Sequence, residues 1–175
     1  MVMRENELEF DFLDLPSERL DNKDKAQPQG LQLVDFLVEE PDRLIMVEIK
    51  DPSCKPKGND EKALADIKTQ RQKFVAKINN GDLINHELAP KARDSYTYIH
   101  LMARDVKPIL YVFVLGADKL SLEDSSLIQL RADLLTRLRQ EADKPWARKY
   151  VVDCLVLTEK TWPLAFPQYA LTRIS

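Results

Sequence analysis

Apolar residues recur along this chain in two rhythms. A period of two marks residues 7–15, with Leu8, Phe10 and Phe12 on one side, and residues 31–38 and 44–50 as strands. Between them, the polar stretch 17–30, with Pro28 and Gly30, reads as a helical turn followed by a loop. Glu40-Pro41-Asp42-Arg43 has the composition of a tight turn. Two prolines and a glycine make 51–60 a loop. A period near 3.6 then takes over. Residues 61–79 carry Leu64, Ile67, Phe74, Val75 and Ile78 at helical spacing and stop at Asn80-Gly81. Residues 82–104 read as helical with a break at Pro90, and 122–142 as an amphipathic helix with Leu127, Leu130, Leu134 and Leu138 inside. Residues 109–115 are wholly apolar, as expected of a central strand buried on both faces. Strands at 150–157 and 169–174 complete the order. It predicts an α/β fold: a mixed β-sheet flanked by α-helices, in a single domain.

A four-residue turn at 40–43 fixes the register of the hairpin around it. Val38 then faces Ile45, Phe36 faces Val47 and Val34 faces Ile49, an all-apolar set on one side of the pleat. The reverse side pairs Leu37 with Met46, Asp35 with Glu48 and Leu33 with Lys50. A slip of one residue would mix the two faces, so the pattern itself specifies the pairing.

That register has a chemical consequence. Directly paired carboxylates lie with Cβ atoms roughly 4.5–5.5 Å apart, and their mutual repulsion calls for a cation between them. Lys50, two residues beyond Glu48, supplies one charge against two. A divalent ion would complete the balance, and hard oxygen donors suit Mg²⁺ or Mn²⁺. The backbone carbonyl of Ile49 is a further candidate ligand. The short pattern (D/E)-x-K is common in this chain. It also occurs at Asp21/Lys23, Asp60/Lys62, Asp66/Lys68 and Asp105/Lys107. Only the copy at Glu48 lies in an apolar strand with an acid on the strand opposite. The competing structural account is a solvated face on which Lys50 pairs with Glu48.

Composition narrows the class. The chain has 175 residues, 44% hydrophobic and 31% charged, enough apolar material for one core. No apolar run is long enough to span a bilayer, and the acidic start has no h-region, so a cytoplasmic protein is expected. Cys54 and Cys154 lack metal-cage spacing. A net charge of −3 argues against a broadly basic nucleic-acid surface, though not against a local basic rim. Lys55 and Lys57, in the loop after Lys50, are candidates for touching a phosphate backbone, or plain solvated lysines.

Val34-Asp35-Phe36-Leu37-Val38 followed by Met46-Val47-Glu48-Ile49-Lys50-Asp51 resembles the PD-(D/E)xK, or restriction-endonuclease-like, superfamily, and is similar to its small bacterial members. The resemblance implies a mixed four-stranded core sheet flanked by helices, with Asp35 and Glu48 as metal ligands and Lys50 as the catalytic lysine that orients water or stabilises the transition state. It also implies a polar residue from the helix 61–79 (Lys68, Gln70 or Gln72) and a further glutamate (Glu18, with Glu9 behind it). The expected function is a Mg²⁺- or Mn²⁺-dependent nuclease, with DNA favoured over RNA as partner and a homodimer suited to cutting two strands. The alternative is a non-catalytic binding or assembly module that keeps the fold.

Overall fold

A computed structural model describes residues 1–22, 28, 30–56, 58 and 60–174. Strands β1 (Val2–Glu5) and β2 (Leu8–Asp11) form an antiparallel hairpin. Strands β3 (Ser17–Arg19), β4 (Phe36–Glu39) and β5 (Leu44–Lys50) make an antiparallel meander. Helix α1 (Glu61–Asn79), a π-helical turn (Leu83–Leu88) and helix α2 (Ala89–Leu101) then lead to β6 (Ile109–Leu115), which lies parallel to β5. Helix α3 (Asp124–Arg139) crosses to β7 (Asp153–Thr158), parallel to β6. A short helix α4 (Trp162–Ala165) and strand β8 (Ala170–Arg173) follow. The result is a single α/β domain around a five-stranded mixed sheet, β3-β4-β5-β6-β7, with a second sheet, β1-β2-β8.

The two faces of the central sheet are covered differently. On one, Leu37, Met46, Tyr111 and Phe113 pack with the helices, through Ile99 of α2 and Leu130, Leu134 and Leu138 of α3. On the other, Phe36, Val38, Ile45, Val47 and Ile49 meet Phe10 of β2 and Phe12 just after it, with Trp162 of α4 and Phe166 at its end. The sheet is thus flanked by helices as expected, with most of them on one face, while the layer on the other is mainly a small sheet with an aromatic filling. Phe10 packs edge-on against both Phe36 and Trp162.

The strong apolar signals hold. Residues 109–115 are buried throughout, and the leucine stripe of α3 faces inward. Four expectations are revised. Ser17–Arg19 is an edge strand rather than a helical turn, because β4 offers it an open row of backbone groups. The strand expected over 31–38 begins only at Phe36. Helix α1 buries only Ile78, and Leu64 is 52% exposed. Its apolar stripe docks only near its end, through Phe74 and Ile78. Pro90 falls at the first turn of α2, where a missing N–H costs nothing, so it starts a helix rather than breaking one. Among the described residues no helix is long and apolar enough to cross a membrane.

Arg173 of β8 ties the two sheets together. Its guanidinium meets Asp51 at 3.0 Å, Glu7 at 3.2 Å, Asp118 at 3.5 Å, and also Glu159. Asp51, Asp118 and Glu159 follow the carboxyl ends of β5, β6 and β7. Gly116 belongs to this junction: a Cβ there would collide with the Asp51 carboxylate and crowd Arg173. Gly116→Ala is therefore expected to destabilise the fold by about 1–3 kcal/mol, as overpacking does. Urea unfolding would detect this as a lower midpoint, and an unchanged midpoint would show that Asp51 and Arg173 can shift freely.

Candidate metal and phosphodiester site

The hairpin register matches the sequence reading over the length of β4: Phe36 pairs with Val47, Leu37 with Met46 and Val38 with Ile45. It does not continue. Residues 32–35 peel away from β5 and are held by α2 instead. The N–H of Gln32 donates to Asp94 Oδ2 at 3.0 Å, and the N–H of Val34 donates to Ser95 Oγ at 2.8 Å. On their other side, Leu20 and Asp21 donate backbone N–H groups to the carbonyls of Asp35 and Val34. Val34 accordingly packs in the helix-side core and not opposite Ile49, and Leu33 does not pair with Lys50.

Asp35 and Glu48 are consequently near one another without being ladder partners. The Asp35 carboxylate replaces the missing strand: its Oδ2 accepts the N–H of Ile49 at 2.7 Å. The N–H and C=O of one strand residue point to the same side, so the Ile49 carbonyl also faces this opening. Glu48 is 0% exposed, on the helix side of β5 beside its parallel partner Phe113. Lys50, at the end of β5, is 28% exposed and lies 3.4 Å from Glu48 and 3.2 Å from Glu87.

The cation that Glu48 requires comes from a residue the sequence reading passed over. Lys91 of α2 places Nζ 2.9 and 3.0 Å from the two carboxylate oxygens of Glu48. It also lies 3.8 Å from Asp21 Oδ2 and pulls on the Asp35 carboxyl. Glu87, also unforeseen, joins Lys50 to Lys77 of α1 at 2.7 Å. An alternating line of charge thus runs from Lys77 through Glu87, Lys50, Glu48 and Lys91 to Asp21. Lys91 and Ser95, four apart on one face of α2, were the available signal: two polar residues on an inward helix face.

Burial and the neighbouring Glu48 charge push the Asp35 carboxyl up to about 7. Burial also pushes Glu48 up, against the pull of Lys91 and Lys50. Glu48 and Glu87, both against its ammonium, raise the Lys50 pKa in spite of desolvation. Two carboxyls and a strand carbonyl are the donors that a hard divalent ion takes, and in chemistry the set fits Mg²⁺ or Mn²⁺. The two oxygens of Glu48 are engaged by Lys91, however. Among the described residues no group of three or more His, Cys, Asp or Glu side chains converges as a metal cage would.

The accessory candidates lie elsewhere. Glu18 of β3 is bound by Arg104, and Glu9 by Arg4. Gln70 lines a cleft with Lys55, Lys62 and Asp66. Gln72 lines another, of about 360 Å³, with Lys68, Arg71 and Lys119. The three cations of this second cleft have no carboxylate among its lining residues. Lys119 is fixed there because its N–H donates to Ser53 Oγ, which in turn donates to the Gly116 carbonyl. Lys57 lies outside the described residues.

No family model, curated protein or solved structure matches this chain. The site therefore has to be read from its own geometry.

The Asp35 shift gives a signed expectation for metal-free protein. Below about pH 4 both folded and unfolded chains hold the proton. Between pH 4 and 7 the unfolded chain ionises while folded Asp35 resists, so stability falls as pH rises through about 7. Asp35→Asn keeps the acceptor for Ile49 and removes this slope, worth up to about 4 kcal/mol. Urea midpoints at pH 5 and pH 8, with chelator present, would measure about 3 kcal/mol of it. An equal pH dependence in both proteins would mean that Asp35 titrates normally.

Proposed function

We propose that this chain is a divalent-metal-dependent phosphodiesterase of the PD-(D/E)xK type, acting on nucleic acid, with DNA the favoured substrate. One observation carries the reading: a fully buried glutamate and a buried aspartate share one strand end with a lysine that still reaches solvent. A solvated face does not account for carboxyls held out of water, one of them with its pKa near 7. The meander β3-β4-β5 with β6 parallel to β5 also agrees with the core that the resemblance implies.

Asp35, Glu48 and the Ile49 carbonyl would hold the ion. When bound, Mg²⁺ or Mn²⁺ makes water more acidic and neutralises charge that builds on the phosphoryl oxygens. The protein's own groups do the remaining work. The buried walls around Glu48 exclude bulk water, which strengthens every charge interaction inside. Lys50, at the solvent edge, presents an ammonium where a phosphodiester would arrive. It can align the attacking water or donate to the developing oxyanion. The cationic cleft of Lys68, Arg71 and Lys119 offers a track for the flanking backbone phosphates.

A second reading has an observation of its own. Lys91 already neutralises Glu48, so the charge line can serve as a structural network in a non-catalytic binding module.

Purified protein with Mn²⁺ or Mg²⁺ is expected to cleave single- or double-stranded DNA, and Lys50→Ala to lower the rate about 100-fold. No ion-dependent cleavage of any DNA or RNA form would favour the binding module. Binding gives a separate check, measured in Ca²⁺ to suppress turnover. Replacing Lys68 and Lys119 by alanine should reduce the slope of log K against log salt by about two, one phosphate contact each. An unaltered slope would remove the cleft from the substrate path.

A further inference from the structure

We infer that Lys91 is a resident cation standing where a divalent ion would bind Glu48, and that metal enters by driving it outward to Asp21. The inference rests on the metal-site reading above and adds a residue that reading does not contain. Lys91 acts on the site through Glu48 and is a positioning residue.

Geometry puts the ammonium in the ion's place. Nζ is almost equidistant from Glu48 Oε1 and Oε2, at 2.9 and 3.0 Å, as a cation shared by both carboxylate oxygens must be. It arrives from outside the hairpin, on α2. That helix is fixed: Ala92, Ser95 and Ile99 are buried in it, and Ser95 and Asp94 hold the backbone of Val34 and Gln32. A change of occupancy therefore requires only the flexible lysine stem to move. An outer partner is in reach, since Asp21 Oδ2 is 3.8 Å away on a side chain 37% exposed. Lys91 itself is only 15% exposed while it bridges the two.

Charge explains why the arrangement is two-state. A buried carboxylate stripped of its partner is strongly destabilising, so the metal-free fold needs Lys91 inside. Lys50 cannot replace it, because its ammonium is shared with Glu87. An arriving divalent ion brings two charges against one and can draw on Asp35 as well. Displacement then costs the ion part of its binding energy, and only a cation that competes well with a held ammonium gains the site.

The test is calorimetry with Mn²⁺ on wild-type protein, Lys91→Met and a Glu48→Gln control, paired with amine acetylation mapped by mass spectrometry. Lys91→Met should bind Mn²⁺ at least about tenfold more tightly, within the usual range of coupling between sites, and Glu48→Gln should bind none. Acetylation keeps the test decisive even where Lys91→Met fails to fold. In wild-type protein, saturating Mn²⁺ should speed labelling of Lys91 at least about fivefold, within that same range of coupling. If wild-type protein binds Mn²⁺ through Glu48 but Lys91 labelling does not change, or folded Lys91→Met binds no more tightly, the inference is overturned and the metal site stands. If neither wild-type nor folded Lys91→Met binds Mn²⁺, both are overturned.

Discussion

Glu48 has no access to water, and a carboxylate in that position requires cations brought to it by the fold. That requirement organises one side of the molecule. Lys91 reaches it only because α2 lies across residues 32–35, and α2 lies there because Ser95 and Asp94 take backbone N–H groups that β5 would otherwise compete for. Lys50 is held within 3.4 Å by its position on the same strand, and Glu87 keeps its ammonium from turning away. Replacing Glu48 alone would leave Lys50 and Lys91 without their shared carboxylate, and replacing Lys91 alone would leave the buried Glu48 with only Lys50, itself shared with Glu87. The network is therefore a unit whose members are not additive.

The same peel that admits Lys91 separates Asp35 from its expected strand partner. Its side chain, rather than its backbone, meets Ile49, so the acid that would have been one rung of a ladder is turned toward the opening. Local departure of a strand from its neighbour is a common way to aim a side chain, and here a helix causes it.

What the sequence made legible follows from range. The register of Phe36, Leu37 and Val38 against β5 could be read because a short turn and two alternating faces determine it within a dozen residues. The leucines of α3 were legible for the same reason. Val34 was misplaced, and Asp35 with it, because the groups that capture Gln32 and Val34, at positions 94 and 95, lie about sixty residues away and carry no periodic signal. Lys91 was missed on the same ground: pairing arithmetic within the hairpin leaves its missing charge unassigned, and an ion was the simplest candidate. The amphipathic stripe of α1 gave the helix correctly but overstated how much of it would be buried.

Arg173 joins residues up to 166 positions apart in the chain, and β8 completes a sheet whose other two strands come from the first eleven residues. The β1–β2 hairpin is a two-stranded piece with little stability of its own. Its aromatic face finds full cover only when α4 and β8 return to it. Closure of so long a loop is slow, so this second layer should form late, after the central sheet and its helices. During that interval Phe36, Val38, Ile45 and Val47 would form an open apolar sheet face, the part of this chain most prone to association while it folds.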